Sequence, residues 1–244
     1  MKSSIVSLPR ALSKLGYCSR SRAVELIVGG HVTVGGRRVT DPTARVDIRR
    51  DAIAVDGTPL QHPREHLYVM LNKPRGYVVS RRSQRGEPTV FELVELSRSH
   101  HLVPVGRLDK ASEGMLLLTT DTAWADRLTR PDRHVPKVYH VQIRGKLDAE
   151  LVARLCIGIA DGGELLRATS AAVLREGKRN QWLVITLTEG RNRQLRRMIA
   201  ALGADVLRLV RVQIGALALG DLGKGQWRLL SPDERELAAR AEVV

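Results

Sequence analysis

The segment at residues 103–121, VPVGRLDKASEGMLLLTTD, holds residues whose types and spacing could do chemistry. Its apolar start predicts a strand, and residues 115–120 predict a second, buried strand. The turn between them carries Arg107 and Asp109. A carboxylate placed in a loop between buried strands is well situated to act as an oriented nucleophile. The residues alone leave an ordinary ion pair within the turn as the alternative.

A second candidate lies at residues 189–203, EGRNRQLRRMIAALG, which the apolar spacing predicts to be a helix ending at Gly203. The apolar stripe consists of Leu195, Met198, Ile199 and Leu202. The arginines near its start are Arg191, Arg193, Arg196 and Arg197. Positive charges at the start of a helix oppose its dipole, and such a local conflict is typical of functional sites. We predict that these arginines bind phosphate; a solvated helix face is the alternative.

The charge of the whole chain favours a polyanionic partner. Among 244 residues, 40 Lys and Arg stand against 26 Asp and Glu, which gives a formal charge of +14. Nucleic acid is the leading interpretation, because each neutralised phosphate releases condensed counterions. A merely basic soluble enzyme is the alternative. With one Phe, three Trp and four Tyr, recognition by a platform of stacked bases is not expected.

Several classes of protein and site are not indicated by the sequence. No apolar stretch approaches the roughly 20 residues of a membrane helix, and Pro9, Arg10 and Lys14 interrupt any signal-peptide core. Cys18 and Cys156 are far apart, which fits a reducing compartment and neither a disulfide framework nor a zinc site. No metalloprotease, paired-cysteine or dinucleotide motif occurs. We therefore expect a cytoplasmic monomer with no cofactor and no metal.

Residues 1–60 are predicted to form a small unit of their own. Two short helices, the second capped by Ser19 or Ser21, precede a hairpin that turns at Gly35-Gly36. The unit carries ten basic and five acidic side chains. Its helices crowd together four candidate RNA-binding residues, namely Arg10, Lys14, Arg20 and Arg22. A helical cap with a solvated charged face is the alternative.

Residues 61–66 contain Pro63 and are predicted to be a linker, after which residues 67–244 mix strands with helices. Several strands alternate apolar with polar residues, as in VYHVQIR, which suits an antiparallel sheet with one face covered. The predicted helices include TVFELVEL at residues 89–96. The order is not a regular alternation of strand and helix. The predicted class is therefore α+β, with a mixed, mainly antiparallel sheet flanked by helices.

At the segments 103–121 and 189–203 the chain resembles a known family, the RsuA/RluB-type ribosomal RNA pseudouridine synthases. GRLDKASEGMLLLTT at residues 106–120 is similar to the family's signature, and KVY at 137–139 and EGRNRQLRRM at 189–198 are similar to its next two motifs. LNKPRGYVVS at residues 71–80 and VRVQIGALALGDLGKGQW at 210–227 are also similar to family segments. The N-terminal GYCSRSRAVELIVGGHVTVGG resembles an S4-type RNA-binding domain. The resemblance covers nearly the whole chain.

The resemblance implies isomerisation of uridine to pseudouridine in ribosomal RNA, without a cofactor. Asp109 matches the essential aspartate, Tyr139 the tyrosine that stacks on the target base, and Arg196 the basic residue that pairs with the aspartate. Leu195 matches an apolar residue beside the site, and Arg107 an arginine that helps to hold or replace the flipped nucleotide. The further RNA-binding candidates are Lys73, Lys137, Arg191, Arg193 and Arg197.

Two other functions stay open on the sequence. One is a non-catalytic RNA-binding ribosome assembly factor, against which the intact Asp109, Tyr139 and Arg196 argue. The other is a basic DNA-binding protein, which would leave the large second domain unexplained. Between ribosomal RNAs we favour 23S over 16S, from the style of the SEGMLLLTTD motif.

Overall fold

A computed structural model of the chain describes residues 5–61, 65–81, 83 and 86–241. The chain divides into two compact units. The first consists of residues 1–67, 95–103 and 119–123, and the second of residues 68–94, 104–118 and 124–244. Of the predicted linker 61–66, residues 62–64 lie outside the described residues.

The N-terminal part of the first unit is the predicted pair of helices followed by short strands. The Ser19 side chain accepts a hydrogen bond from the Arg22 backbone at 3.2 Å, which confirms Ser19 as the cap. The pairing of β1 with β4 was not predicted, because three-residue strands leave too little alternation to detect. The elements are β1 (Ile5–Ser7), α1 (Leu8–Lys14), α2 (Arg20–Val28), β2 (Val32–Val34), β3 (Arg37–Arg38), β4 (Arg45–Asp47), β5 (Ile53–Val55) and β6 (Thr58–Pro59).

The rest of the chain supplies one large sheet with helices beside it. Its elements are β7 (Tyr68–Lys73), β8 (Val103–Val105), β9 (Glu113–Thr119), α3 (Thr122–Thr129), β10 (Lys137–Arg144), α4 (Ala149–Ile157), β11 (Ile159–Asp161), β12 (Glu164–Leu166), β13 (Ser170–Glu176), β14 (Asn180–Leu187), α5 (Gln194–Ala201), β15 (Asp205–Ile214), β16 (Leu217–Ala218), β17 (Trp227–Leu229) and α6 (Pro232–Ala239). None of the helices in the described residues is long and apolar enough to cross a membrane.

The large sheet confirms the predicted α+β class. Its strand order is β13-β14-β10-β15-β9-β7-β17, with β16 paired to β15 and β8 to β9. The four strands from β13 to β15 are antiparallel neighbours, whereas β15 runs parallel to β9. At that parallel pair Gly114 has a φ of +99°, and a Cβ atom there would overlap the backbone of Arg211. Only glycine allows the two strands to approach so closely.

Helices α4 and α5 cover one face of this sheet. Val141, Ile143, Leu183 and Ile185 pack there in one buried cluster with residues of both helices. The predicted stripe of α5 is confirmed for Leu195, Met198 and Ile199, which are buried. This packing fixes the start of α5 next to the strands that surround the site.

One predicted helix is different in the structure. The segment TVFELVEL forms two short 3-10 turns, Val90–Glu92 and Glu95–Arg98. Thr89 and Glu92 form a capping box that closes the first turn. Val90, in the first turn, and Val94, between the two turns, are both fully buried without a longer helix, and β-branched valines add little helix propensity.

Candidate active site

A cleft in the second unit collects the predicted catalytic and supporting residues. It has a volume of about 110 Å³ and lies among the loop before β9, strands β10, β14 and β15, and the start of α5. Seven of the residues predicted from the sequence line it, namely Arg107, Asp109, Tyr139, Arg191, Arg193, Leu195 and Arg196. The fold therefore brings together motifs that are far apart in sequence.

Asp109 presents a half-exposed carboxylate to this cleft. Its side chain is 39% exposed, and its Oδ2 lies 3.8 Å from Nη1 of Arg193. The backbone is held more firmly, because the Asp109 carbonyl accepts hydrogen bonds from the Ser112 N–H at 2.9 Å and from Lys73 Nζ at 3.2 Å. The loop is thus fixed while the carboxylate stays accessible to a substrate.

The salt bridge of Asp109 is formed with Arg193, whereas the resemblance led us to expect Arg196 as its partner. Arg196 makes no ion pair with Asp109 within 4.0 Å. Its Nη2 donates instead to the Ala111 carbonyl at 3.1 Å and its Nη1 to the Val206 carbonyl at 3.4 Å. Burial, together with the charge of Arg193, lowers the pKa of Arg196, and the charge of Asp109 partly offsets this. Arg196 therefore acts on Asp109 through the loop backbone and at longer range.

Arg193 reaches Asp109 from an unusual backbone position. It precedes α5 in the left-handed region with a φ of +48°, which non-glycine residues rarely adopt. Such a conformation costs on the order of 1–3 kcal/mol and tends to occur at functional sites. Sequence reasoning placed Arg193 among the phosphate-binding arginines, and no local signal indicates its backbone conformation or its contact with Asp109.

Tyr139 lines the cleft from strand β10. It lies between Ile185 of β14 and Arg211 of β15, next to a bulge that shifts the register after Val138. The ring is half-buried and packs against the core beneath the cleft. A bulge commonly re-aims a side chain next to a functional site. Tyr139 thus supplies an aromatic side chain to the wall of the cleft.

Lys73 is not an RNA contact, which corrects its predicted role. It is fully buried, and its Nζ donates to the carbonyls of Ser112, Pro74 and Asp109 at 2.8, 3.1 and 3.2 Å. Burial lowers its pKa to about 8. Because a lysine is almost never fully buried without partners, this ammonium is a clamp beneath the Asp109 loop.

Lys137 also donates to backbone carbonyls, although it is only half-buried. Its Nζ donates to the Val135 carbonyl at 2.7 Å and to the Leu128 carbonyl at 3.2 Å. Burial and the charge of Arg211 lower its pKa to about 8. Lys137 therefore holds two backbone carbonyls, and its predicted contact with RNA stays a prediction.

Two of the predicted phosphate-binding arginines are partly or fully neutralised. Arg197 forms salt bridges with Asp161 and Glu164, which join α5 to the β11–β12 hairpin, and its predicted role in RNA binding stays a prediction. Arg191 pairs with Glu189 at 3.1 Å and Glu164 at 3.3 Å. Arg193, whose side chain is 52% exposed, is the most available cation of this group.

An ion cluster around a buried carboxylate behind the loop was missed by sequence reasoning. Glu113 is buried and accepts two hydrogen bonds from Arg208, at 2.9 and 3.0 Å, and lies 2.7 Å from Lys224. Burial alone would raise the pKa of Glu113, but these hydrogen bonds lower it to about 2. Since Glu113 begins β9, the cluster anchors the strand that follows Asp109.

The four basic residues predicted on the N-terminal helices lie at the surface of the first unit. Arg10, Arg20 and Arg22 are exposed, and Lys14 is half-buried. Arg22 pairs with Glu25 at 2.8 Å. In the described residues there is no group of three or more potential metal-binding side chains, and both cysteines are free thiols.

Comparisons with known proteins agree with this geometry. A family model described as RNA pseudouridylate synthase matches residues 67–201, and a model of the S4 domain matches residues 6–53. An uncharacterised RNA pseudouridine synthase of Aquifex aeolicus is 36% identical over 230 residues, which cover 94% of this chain and 92% of that protein. One from Bacillus subtilis is 32% identical over 232 residues, covering 94% and 97%.

A solved structure is similar over the same extent. The crystal structure of a pseudouridylate synthase, 30% identical in sequence, superposes with a TM-score of 0.67 and covers 96% of this chain and 99% of that one. Motifs, fold, cleft and relatives all agree on one assignment. The chain belongs to the RNA pseudouridylate synthase family, carries an N-terminal S4 domain, and isomerises uridine to pseudouridine in RNA.

Proposed function

We propose that the substrate is ribosomal RNA, 23S in preference to 16S, and that Asp109 is the essential carboxylate. The observation that carries the second part is the cleft itself, in which Asp109, Tyr139, Arg193 and Arg196 meet. The preference for ribosomal RNA, and for 23S, rests on the resemblance of the motifs around Asp109 to the RsuA/RluB type.

The reaction needs few protein groups. The bond between uracil N1 and the ribose is broken, the uracil turns, and a new bond forms from the ribose to carbon 5. Carbon 5 then loses its proton and N1 gains one, so that the product is an isomer of the substrate. No oxidation or reduction takes place, so the proposal includes no cofactor. The target uridine must first leave its stack, at a cost of a few kcal/mol, which stacking on Tyr139 and phosphate contacts offset.

Within that reaction Asp109 is the group that touches the reacting nucleotide. An ionised carboxylate is required, whether it attacks the ribose, attacks the base or removes a ribose proton. Arg193, at 3.8 Å, favours the charged form of the carboxylate by Coulomb attraction. Arg107 is exposed at the rim of the cleft, where it can help to hold or replace the flipped nucleotide.

The proposed division of labour follows the order of the chain. Residues 1–60 bind RNA through the exposed cations of α1 and α2, and residues 67–244 carry out the isomerisation. Residues 61–66 are the linker between these two domains. A monomer acting in the cytoplasm fits the two free cysteines, which are far apart in sequence.

Mapping pseudouridines in the RNA of a strain that lacks the gene tests the substrate. We expect one or a few positions of 23S ribosomal RNA to lose the modification. A wild-type copy should restore it and an Asp109→Asn copy should not. Loss confined to 16S or to transfer RNA would contradict the proposed substrate, and an unchanged map would favour the assembly factor.

A further inference from the structure

The face of the large sheet opposite α4 and α5 carries an ordered row of side chains. Val141, Ile143, Leu183 and Ile185 point into the core, so the residues alternating with them point to the other face. On that face the register places Arg175 opposite Trp182, Trp182 opposite Gln142, and Gln142 opposite Arg208. The row, Arg175–Trp182–Gln142–Arg208, crosses β13, β14, β10 and β15.

Trp182 lies between two arginines in this row. Cζ of Arg175 is 4.9 Å from the centre of the indole ring, and Cζ of Arg208 is 5.6 Å from it. The two arginines differ in how they are held. Arg208 is fixed by its two hydrogen bonds to Glu113, whereas Arg175 is exposed and has no salt bridge to any residue that the structure describes. Arg175 can therefore move without breaking an ion pair.

The neighbouring row of side chains on the same face is mostly apolar and partly exposed to solvent. It consists of Ala172, Val184, His140 and Val210, each half-buried or exposed. Burial and the charge of Arg175 lower the pKa of His140, so the imidazole is neutral at pH 7 and can exchange hydrogen bonds. Since none of these side chains is fully covered, the face is accessible to a partner.

Positive charge surrounds this face at the end where β13 turns into β14. Lys178 and Arg179 in the turn are exposed, and neither makes a salt bridge within the described part of the chain. Arg144 on the same face is 71% exposed and only 3.6 Å from an equally exposed Asp205, a pairing of little strength. A planar aromatic group bordered by uncompensated cations is the arrangement that binds single-stranded nucleic acid.

We propose that this face binds a single-stranded segment of the RNA substrate outside the catalytic cleft, with one base on Trp182 and adjacent phosphates on Arg175, Lys178 and Arg179. The relative strengths of the two contacts favour replacement of Arg175 by a base on the Trp182 ring. An exposed cation–π contact is weaker than the stacking of a base on an aromatic side chain. A base can thus displace Arg175 from the ring, and the freed guanidinium can then contact phosphate.

This inference rests on RNA being the substrate, but it concerns affinity and not the chemical step. It also agrees with the prediction made from the small number of aromatic residues. The few aromatic residues argue against a platform that stacks several bases, and a single tryptophan accommodates one base.

The test measures binding of a fluorescein-labelled, 20-nucleotide oligouridine to the full-length protein. Trp182→Ala is expected to weaken binding between about 5-fold and 150-fold, the equivalent of one lost stack. Trp182→Phe keeps an aromatic face and should remain within threefold of wild type. Arg175→Glu should weaken binding and flatten its dependence on salt by about 0.7 per lost phosphate contact.

Arg154→Glu is the matched control, because Arg154 is exposed on α4, on the opposite side of the same sheet. It makes the same change of charge and should leave affinity within twofold. Thermal unfolding of every variant verifies the fold. Wild-type affinity in Trp182→Ala, or equal losses in Arg175→Glu and Arg154→Glu, would overturn the inference. The binding assay does not depend on isomerisation. If the proposed function failed, a separate assay would detect no pseudouridine, while the binding of oligouridine would be intact.

Discussion

At the scale of residues, Asp109 depends on two arginines that support it in different ways. Arg193 is exposed and faces the carboxylate itself, at 3.8 Å. Arg196 is half-buried and holds the loop by the carbonyl of Ala111, two residues after Asp109. One arginine therefore acts on the charge of Asp109 and the other on its position.

Substituting each arginine by alanine should separate these two roles. Arg193→Ala should lower kcat roughly tenfold or more, because the positive charge that favours the ionised Asp109 carboxylate is lost, and leave the free energy of unfolding within about 1 kcal/mol, since exposed pairs are weak. Arg196→Ala should lower both kcat and Tm, because a buried carbonyl left without its donor costs about 1–3 kcal/mol. Arg196→Lys should restore activity only in part, because lysine lacks the planar fork.

Steady-state kinetics and thermal unfolding of the three variants check this. Wild-type kcat in Arg193→Ala would refute the role of the observed salt bridge. An Arg196→Ala variant that is inactive but as stable as wild type would show that Arg196 acts on chemistry directly, as the sequence alone suggested.

Sequence reasoning located the residues that line the cleft better than it predicted their contacts. Asp109, Tyr139, Leu195 and Arg196 followed from motif resemblance, and all four line one cleft. The left-handed backbone of Arg193 followed from no pattern, because it depends on how the 188–193 loop enters α5. Lys73 was misplaced for a similar reason, since a lysine in a motif gives no sign that three carbonyls will surround it.

At the scale of elements, the Asp109 loop is held between the end of β7 and the start of β9. Lys73 ends β7 and donates to three carbonyls, two of them in this loop. Lys137 begins β10 and donates to two carbonyls. Burial lowers the pKa of both lysines to about 8, but the loss of a proton affects them differently.

Activity should fall as the pH rises through about 8 because of Lys73. The ammonium form has three N–H donors for three carbonyls, whereas the neutral amine has two, so deprotonation releases part of the clamp. Lys137 still has enough donors for its two carbonyls after deprotonation. The measurement is kcat from pH 6.5 to 9.5 for wild type and Lys73→Met.

Lys73→Met should be less active at neutral pH, and its alkaline decline centred near pH 8 should be absent. A Lys137→Met variant that keeps the decline is the matched control. If Lys73→Met shows the wild-type decline, the clamp does not govern the pH dependence.

Element prediction succeeded where a pattern was long or the turn residues were specific. The Gly35-Gly36 hairpin formed as β2 and β3, and the periodic α5 stripe is buried as expected. The segment TVFELVEL failed as a helix because eight residues with a strong capping box can equally form short 3-10 turns. Pairing between β15 and β9 could not be predicted, since it joins residues nearly a hundred positions apart, such as Val210 and Glu113, and depends on Gly114.

At the scale of the molecule, the charge of +14 is distributed between groups that stabilise the fold and groups left for RNA. Lys73, Lys137 and Arg197 are engaged within the protein. The exposed cations on α1 and α2 are available instead. Counting charges therefore indicated the class of partner but not the residues that contact it.

Charge reversal in the N-terminal unit should change affinity without changing catalysis. Arg10→Glu with Arg20→Glu should weaken RNA binding and lower the slope of log affinity against log salt by about 1.5, because two phosphate contacts are lost. The value of kcat at saturating RNA should stay within twofold. Arg133→Glu with Arg240→Glu, both exposed, makes the same change of charge elsewhere and should alter the slope less. Identical slopes in the two double variants would show that α1 and α2 do not contact the RNA backbone.

Release of tritium from 23S ribosomal RNA labelled at carbon 5 of uridine tests the central claim most directly. Wild-type protein and an Asp126→Asn control, changed at an exposed carboxylate of α3, should release tritium at equal rates. Asp109→Asn should release none above background while binding the RNA within threefold of wild type, because the substitution keeps the shape and removes the charge. Turnover by Asp109→Asn within tenfold of wild type would contradict the assignment of Asp109 as the essential carboxylate.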